Sequence, residues 1–514
     1  MATPYYITTP IYYVNDDPHI GHAYTTLACD VLARFKRMDG YDVHFLTGTD
    51  EHGQKVEKAA EAAGVDPQSF TDRVSQNFRE LAERMNFSND DFIRTTEPRH
   101  HEACQALWNK LVETGDIYLG AYAGWYAVRD EAFYTETELT EGPDGEKVAP
   151  TGAPVEWVEE PSYFFRLSAW GDRLLKLYDE NPDFIGPASR RNEVMSFVKG
   201  GLQDLSVSRT SFKWGVPVPG DPDHIMYVWL DALTNYATAV GYPNENSGDF
   251  TKFWPANLHL VGKDIVRFHA VYWPAFLMAA GIAPPKRVYA HGWWTNEGQK
   301  ISKSLGNVIK PYDLIERYGL DQVRFFLLRE VPFGNDGDFS HASMVNRMNS
   351  ELANDYGNLV QRTLSMINKN CGAAVPEPGA ITDEDRALLD PARGLAAQLR
   401  PMMDRQAFHE AIEAVWVIVR AANAYVDHQA PWALRKTDPD RMATVLYVLA
   451  ETIRHLGIAT SPFMPESSGK ILDQLAISEN ARTFAAMGEG GALVPGTAMP
   501  KPQGVFPRLV EEAA

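Results

Sequence analysis

Residues 5–53 read YYITTPIYYVNDDPHIGHAYTTLACDVLARFKRMDGYDVHFLTGTDEHG, and the fold turns on this stretch. Tyr5–Thr9 is a short β-prone run, followed by a loop rich in Pro, Asn and Asp. From about Gly21 to Met38 the period changes, and Leu27, Val31, Leu32 and Phe35 form an apolar stripe at helical spacing. Val43–Thr47 reads as a second strand, with Thr49-Asp50-Glu51-His52-Gly53 at its carboxyl end. Strand, helix, strand is a βαβ unit, which predicts an α/β fold built on a parallel sheet.

Outward from this unit, residues 116–224 break the rhythm with short strands, turn signals at Gly142-Pro143-Asp144-Gly145 and many aromatics, the pattern of an insertion. The α/β rhythm then resumes with a strand at Leu258–Val261, a helix at Asp264–Ala280 and a strand at Arg287–His291. After about Asn346 the period is purely helical. Phe408, Ile412, Val415, Val419, Ala422 and Val426 make one bundle seam, and Met442, Val445, Leu446, Leu449, Ile453 and Leu456 make another. From Gly488 a Gly/Pro-rich tail follows, with Val505-Phe506 as its expected anchor. No internal repeat is visible. The expected division is 1–115 and 225–292 for two halves of a catalytic domain, 116–224 for the insertion, 293–345 for a connecting region, 346–487 for a helical domain and 488–514 for the tail.

A chain of 514 residues exceeds what one core usually organises, and two to four domains follow. The composition, 45% hydrophobic and 23% charged, is that of a globular protein. No window reads as a membrane span and the first residues do not read as a secretory signal, so a cytoplasmic location with no membrane partner is expected. Cys29, Cys104 and Cys371 are scattered, which indicates neither a disulfide framework nor a thiolate metal site. The formal charge is −20; from Asn346 onward 16 Lys+Arg face 20 Asp+Glu, which leaves −16 for residues 1–345. Loose, non-specific DNA binding is disfavoured, and any nucleic-acid contact must use local patches.

Two strings carry chemistry. Pro18-His19-Ile20-Gly21-His22 enters the first helix, where unpaired N–H groups and the helix dipole favour phosphate and Gly21 permits close approach. Gly298-Gln299-Lys300-Ile301-Ser302-Lys303-Ser304-Leu305-Gly306 follows a strand and could swing two lysines over a triphosphate. Taken singly, each has a bland reading: incidental histidines, or a solvated basic loop.

Lying 281 positions apart, the two strings together resemble the HIGH and KMSKS signatures of class I aminoacyl-tRNA synthetases, with Ile301 in place of the Met. TTPIYYVNDDPHIGH, TGTDEHGQK, YVWLDAL, HLVGKDIVRFH and Gln429-Ala430-Pro431-Trp432 extend the resemblance along nearly the whole chain and specifically to methionyl-tRNA synthetases. The resemblance implies a Rossmann-type catalytic domain with a connective insertion, followed by an all-α anticodon-binding bundle. It implies ATP with Mg²⁺, L-methionine and tRNA(Met) as ligands, and initiator and elongator Met-tRNA as products. His19, Gly21, His22, Gly262, Asp264, Lys300 and Lys303 would bind ATP, and His19, His22, Lys300 and Lys303 would be catalytic. Ile11, Tyr13, Trp229, Ala232, Tyr236, Ile265, His269 and Trp273 would line the methionine site, with Asp50 on the ammonium. Asn358, Arg362 and Trp432 would read the anticodon. An aromatic pocket suits an unbranched, polarizable side chain.

A relative specific for leucine, isoleucine or valine would need a large editing insert, for which residues 116–224 leave no room. A small nucleotidyltransferase sharing the first string would not account for Lys300–Ser304, and an inactive tRNA-binding relative would not keep both histidines and both lysines. Many family members fold the insertion around zinc. Here GWYAVRDEAFY and KVAPTGAPVEW put Ala127, Asp130, Val148 and Thr151 where such ligands would fall, so no zinc is expected. Trp125, Tyr126, Phe133, Tyr134 and Trp157 are expected to pack in its place. The chain ends without an appended dimerisation domain, and a monomer is expected.

Overall fold

A computed structural model describes residues 2–510 apart from 15, 16, 131, 143, 144 and 302–305, and the side chains of these except 122, 160 and 489. The chain separates into two compact units. One comprises Thr3–Cys29 and Val43–His291; the other comprises Met1–Ala2, Asp30–Asp42 and Gly292–Ala514.

The first unit is built on a seven-stranded sheet. Its strands are β1 (Pro4–Thr8), β2 (Tyr12–Tyr13), β3 (Asp42–Asp50), β4 (Asp91–Arg94), β5 (Ile185–Gly186), β6 (Leu258–Gly262) and β7 (Val288–His291), in the order β5-β7-β6-β1-β3-β2 with β4 beside β3. β1 runs parallel to β6, β6 to β7, and β2 and β4 to β3. Tyr6, Ile7, Phe45, Leu46, Leu260, Val261 and Val288 are fully buried, as a parallel sheet covered on both faces requires. The helix α1 (Ile20–Met38) follows β2, and β3 runs three residues beyond the expected Thr47, so Asp50 closes the strand.

The expected helix at Asp264–Ala280 is three pieces: a 3₁₀ turn at Lys263–Ile265, a π-helical turn at Phe268–Tyr272 and an α-helix at Trp273–Ala279. Pro274 sits at the start of that last helix, where its missing N–H is harmless. The insertion is longer-stranded than expected: Ile117–Ala127 pairs antiparallel with Glu156–Phe165 from Ile117↔Phe165 to Tyr126↔Glu156.

At the positions where zinc ligands would fall, Ala127 and Val148 are buried and carry no donor atom. Asp130 accepts from Thr151 Oγ1 and, at 3.0 Å, from the Tyr134 hydroxyl. These residues do not fit a tetrahedral zinc site. The packing there corrects the expectation in one respect. The small core is Ala127, Ala149 and Ala153 with Tyr134 and Val155 against it, whereas Trp157 is 55% exposed and meets Trp125 edge-on at 5.4 Å.

The second unit is mostly helical. The seam from Phe408 to Val426 lies on the helix Phe408–Gln429 and is buried throughout. The helix Pro439–Thr460 buries Met442, Val445, Leu446, Leu449, Ile453 and Leu456. It is also long and apolar enough to cross a membrane, which the sequence reading missed, but most of it is spent inside the bundle. Phe506 anchors the tail on Tyr356, with ring centroids 5.6 Å apart.

Candidate active site

α1 begins within the HxGH string, and its first turn sets both histidines. The Gly21 N–H donates to His19 Nδ1 at 3.1 Å, and the His19 N–H donates to His22 Nδ1 at 3.1 Å. With both Nδ1 atoms occupied as acceptors, each neutral ring carries its proton on Nε2, as a donor. The rings lie 3.8 Å apart, and Tyr12 and Phe78 pack against His22 at 4.8 and 5.2 Å. Burial pushes both imidazoles below their ordinary pKa; for His22 the neighbouring His19 adds to the effect, while for His19 the Asp264 charge opposes it. Two uncharged N–H donors therefore stand at a helix amino terminus, where anions are favoured.

Gly262 closes β6. A Cβ there would lie 2.6 Å from Asp264 Oδ1, so only glycine lets that carboxylate turn back beside the strand end. Burial pushes the imidazole of His269, in the ring cluster described next, down to about 4, and the Asp264 charge opposes that shift. At the end of β7, His291 Nε2 donates to Thr25 Oγ1 at 2.7 Å, because the Thr25 hydroxyl gives its proton to the Gly21 carbonyl.

Asp50 is buried and lies opposite Tyr13 in the β2–β3 register. Its neighbours are clamped. Glu51 is fully buried and takes Arg94 through both oxygens at 2.7 and 2.9 Å, together with the Thr49 and Thr96 hydroxyls. His52 Nδ1 lies 2.7 Å from Asp231 Oδ2. Asp231 Oδ1 receives His100 Nε2 at 2.7 Å, with Cys104 Sγ 3.2 Å from the same nitrogen. The two histidines hold the Asp231 carboxyl well below the usual carboxylate range despite full burial.

The ligand atoms of His100, Cys104 and Asp231 lie within 4.8 Å of one another. Zinc bonds of about 2.0–2.3 Å would hold ligands roughly 3.3–3.8 Å apart. The 2.7 Å histidine–carboxylate contact is therefore a hydrogen bond within a self-satisfied network, and sequence reasoning missed it. His52 and Asp231 lay inside TGTDEHGQK and YVWLDAL, but His100 and Cys104 lay in neither string, and the partners are far apart in the chain.

Of the residues expected to line the amino-acid site, Trp229, Tyr236, His269 and Trp273 form one ring cluster. The Tyr236 hydroxyl meets His269 Nε2 at 2.6 Å, the Tyr236 and Trp273 rings are 6.1 Å apart, and Trp229 stacks on Phe268 at 3.6 Å. Ile11, Trp229 and Ile265 pack on the same hydrophobic core, and Ala232 is buried on the helix Val228–Thr238 between Trp229 and Tyr236. The Trp229 indole N–H is buried with no hydrogen-bond partner among the described residues.

In the second unit, Lys300 is exposed at the end of a hairpin strand, paired with Thr295; Lys303 lies outside the described residues. Asn358 and Arg362 share a face of the helix Asn358–Asn370. The Arg362 guanidinium lies 5.4 Å from the ring centre of Trp432 and 2.9 Å from Asp427. Trp432 is 48% exposed, not a core residue.

A family model described as class I tRNA synthetases (M) matches residues 5–364, and one for the anticodon binding domain of methionyl tRNA ligase matches residues 375–514. The chain belongs to the class I methionyl-tRNA synthetase family. Among relatives, the methionine–tRNA ligase of Mesorhizobium japonicum is 59% identical over 508 residues, covering 99% of this chain and 98% of its own. That of Rhizobium meliloti is 58% identical over 513 residues, covering 100% and 99%. The Mycobacterium tuberculosis methionyl-tRNA synthetase, solved with methionyl-adenylate, matches with a TM-score of 0.96 at 55% identity over 98% of this chain and 100% of its own.

Proposed function

We propose that this family member activates L-methionine with ATP and loads it onto tRNA(Met), supplying initiator and elongator Met-tRNA. The methionine carboxylate attacks the α-phosphorus, the bond to the β-phosphate bridge breaks, and pyrophosphate leaves. The terminal ribose hydroxyl of the tRNA then attacks the carbonyl carbon and AMP departs. No protein nucleophile is required, so positioning and electrostatics carry the rate.

The observation that carries this reading is the pair of neutral, Nε2-protonated histidines at the start of α1, on the unit that also holds Asp50 and the ring cluster. His19 and His22 donate to the phosphates as their charge redistributes. Gly21 and Gly262 let the nucleotide approach the backbone, and Asp264 faces the ribose. Lys300 and Lys303 follow the pyrophosphate, and Mg²⁺, when bound, neutralises the triphosphate. Asp50 takes the substrate ammonium, while Ile11, Tyr13, Trp229, Ala232, Tyr236, Ile265, His269 and Trp273 enclose the side chain. Asn358 and Arg362 reach anticodon base edges, and exposed Trp432 offers a stacking face.

The insertion does this without zinc, and the enzyme works as a monomer in the cytoplasm. ATP–pyrophosphate exchange across the amino acids, followed by aminoacylation of tRNA, tests the proposal. Methionine is expected to support exchange alone, and exchange driven by leucine, isoleucine or valine would refute it.

A further inference from the structure

Behind the ring cluster lies His259, which opens the string HLVGKDIVRFH and to which the resemblance gives no role. His259 sits on β6 opposite Thr8 of β1 and is fully buried. Its Nδ1 lies 2.8 Å from Thr8 Oγ1, and its Nε2 accepts from the Trp273 indole N–H at 3.3 Å. An indole N–H can only donate, so Nε2 is bare and the ring proton rests on Nδ1, donating to Thr8. Burial, with His269 close by, pushes this imidazole far below its ordinary pKa and keeps it neutral.

The same logic fixes His269. The Ile265 carbonyl, 3.0 Å from His269 Nδ1, can only accept, so Nδ1 is protonated and Nε2 takes the Tyr236 hydroxyl proton. Tyr236 in turn lies against the His259 ring, with centroids 4.1 Å apart. Two imidazoles in the same tautomer thus hold the two polar edges of the cluster.

The geometry points to His259 as a positioning residue for the methionine side chain: its bare Nε2 fixes the Trp273 indole while its ring face backs Tyr236. This rests on the reading that Tyr236 and Trp273 line the amino-acid site. Without that acceptor, the Trp273 N–H is buried unpaired and the indole is no longer held at its edge. The loss should fall on methionine and spare ATP, because the groups His259 holds, the Trp273 indole N–H and the Thr8 hydroxyl, belong to the ring cluster and to β1 and not to the HxGH turn.

Two substitutions separate the ring nitrogens. His259→Gln places an amide where Nε2 stands, and His259→Asn places one where Nδ1 stands. In methionine-dependent ATP–pyrophosphate exchange, H259N is expected to raise KM for methionine about tenfold while KM for ATP and kcat stay within about twofold. H259Q should remain within about threefold of the parent enzyme. Equal losses in both variants, or a fall in kcat with both KM values unchanged, would overturn the assignment. Failure of the unsubstituted enzyme to exchange with methionine would instead overturn the substrate reading. Should H259N not fold, ¹⁵N NMR of histidine-labelled enzyme decides, with the His259 signals identified by their loss in H259Q. A protonated Nδ1 and a bare Nε2 are expected to persist at pH values near 6, and an Nε2–H or doubly protonated ring would refute the proposal.

Discussion

Replacing His22 with alanine removes one Nε2–H donor from the start of α1 and leaves the His19 backbone N–H without the acceptor it meets at 3.1 Å. It also strips away the ring that His19 lies against at 3.8 Å. A preorganised donor to developing charge is worth about 2.7–4 kcal/mol, or roughly 10²–10³ in rate. The rate of adenylate formation in single turnover should therefore fall by about that factor, and methionine affinity should barely move.

The charge state sharpens the expectation. Burial holds both imidazoles below the ordinary value of 6.5, so they already work as neutral donors at pH 7. Both rings titrate below the ordinary value, so raising the pH from about 7 to 8 should change the single-turnover rate little. For stability the sign is opposite to that of a salt-bridged histidine. Below about 6.5 the unfolded chain takes up protons that the folded one refuses, so acidification destabilises. A rate that declines severalfold as pH rises from about 7 to 8, or an H22A variant that loses methionine affinity with an unchanged rate, would refute the reasoning.

Lys303→Ala should slow adenylate formation by about 10²–10³ in stopped-flow with little change in methionine affinity. Trp432→Ala should leave pyrophosphate exchange intact and weaken tRNA charging by about 1–3 kcal/mol, with an unchanged melting temperature because the side chain is half-exposed. Asp231→Ala strands two buried histidines and should cost about 3–5 kcal/mol in urea unfolding. Because the Asp231 carboxyl is held below its unfolded value, its contribution should be present near neutral pH and fade as the pH falls through the acid range. Elemental analysis should find the purified chain without stoichiometric zinc, and a zinc-selective chelator in excess Mg²⁺ should leave exchange activity unchanged.

The βαβ unit and the bundle seams were legible because periodicity alone distinguishes a strand from a helix face, and Leu27, Val31 and Phe408–Val426 carry it cleanly. The break in residues 263–279 was not. Phe268, Trp273 and Phe276 keep an apolar rhythm through the π-turn, and nothing in residue type marks where the hydrogen-bond ladder shifts. The HxGH string and the string at 298–306 are each local and so could be read. The tautomers of His19 and His22 depend on which N–H each ring nitrogen meets, and that exists only once α1 has formed. The His52–Asp231 pair spans 179 positions, a distance at which one sequence holds no signal. Trp157 misled because an aromatic in a strand reads as core, whereas its strand face looks outward.

The helix Pro439–Thr460 invites a question of sorting. A freshly made segment of that length and apolarity is a plausible passenger for machinery that inserts helices into bilayers. Glu451 and Arg454, paired at 2.6 Å, sit near its middle with His455 beside them. Inside the bundle such a pair adds little net stability, since desolvation offsets the attraction. On an emerging chain each charge raises the cost of central membrane placement by about 2.5–3.5 kcal/mol. The same two residues that the folded bundle neutralises, and that also hold the Ala486 carbonyl and the Leu493 N–H of the tail, thus bias the nascent helix away from lipid before its partners have closed around it.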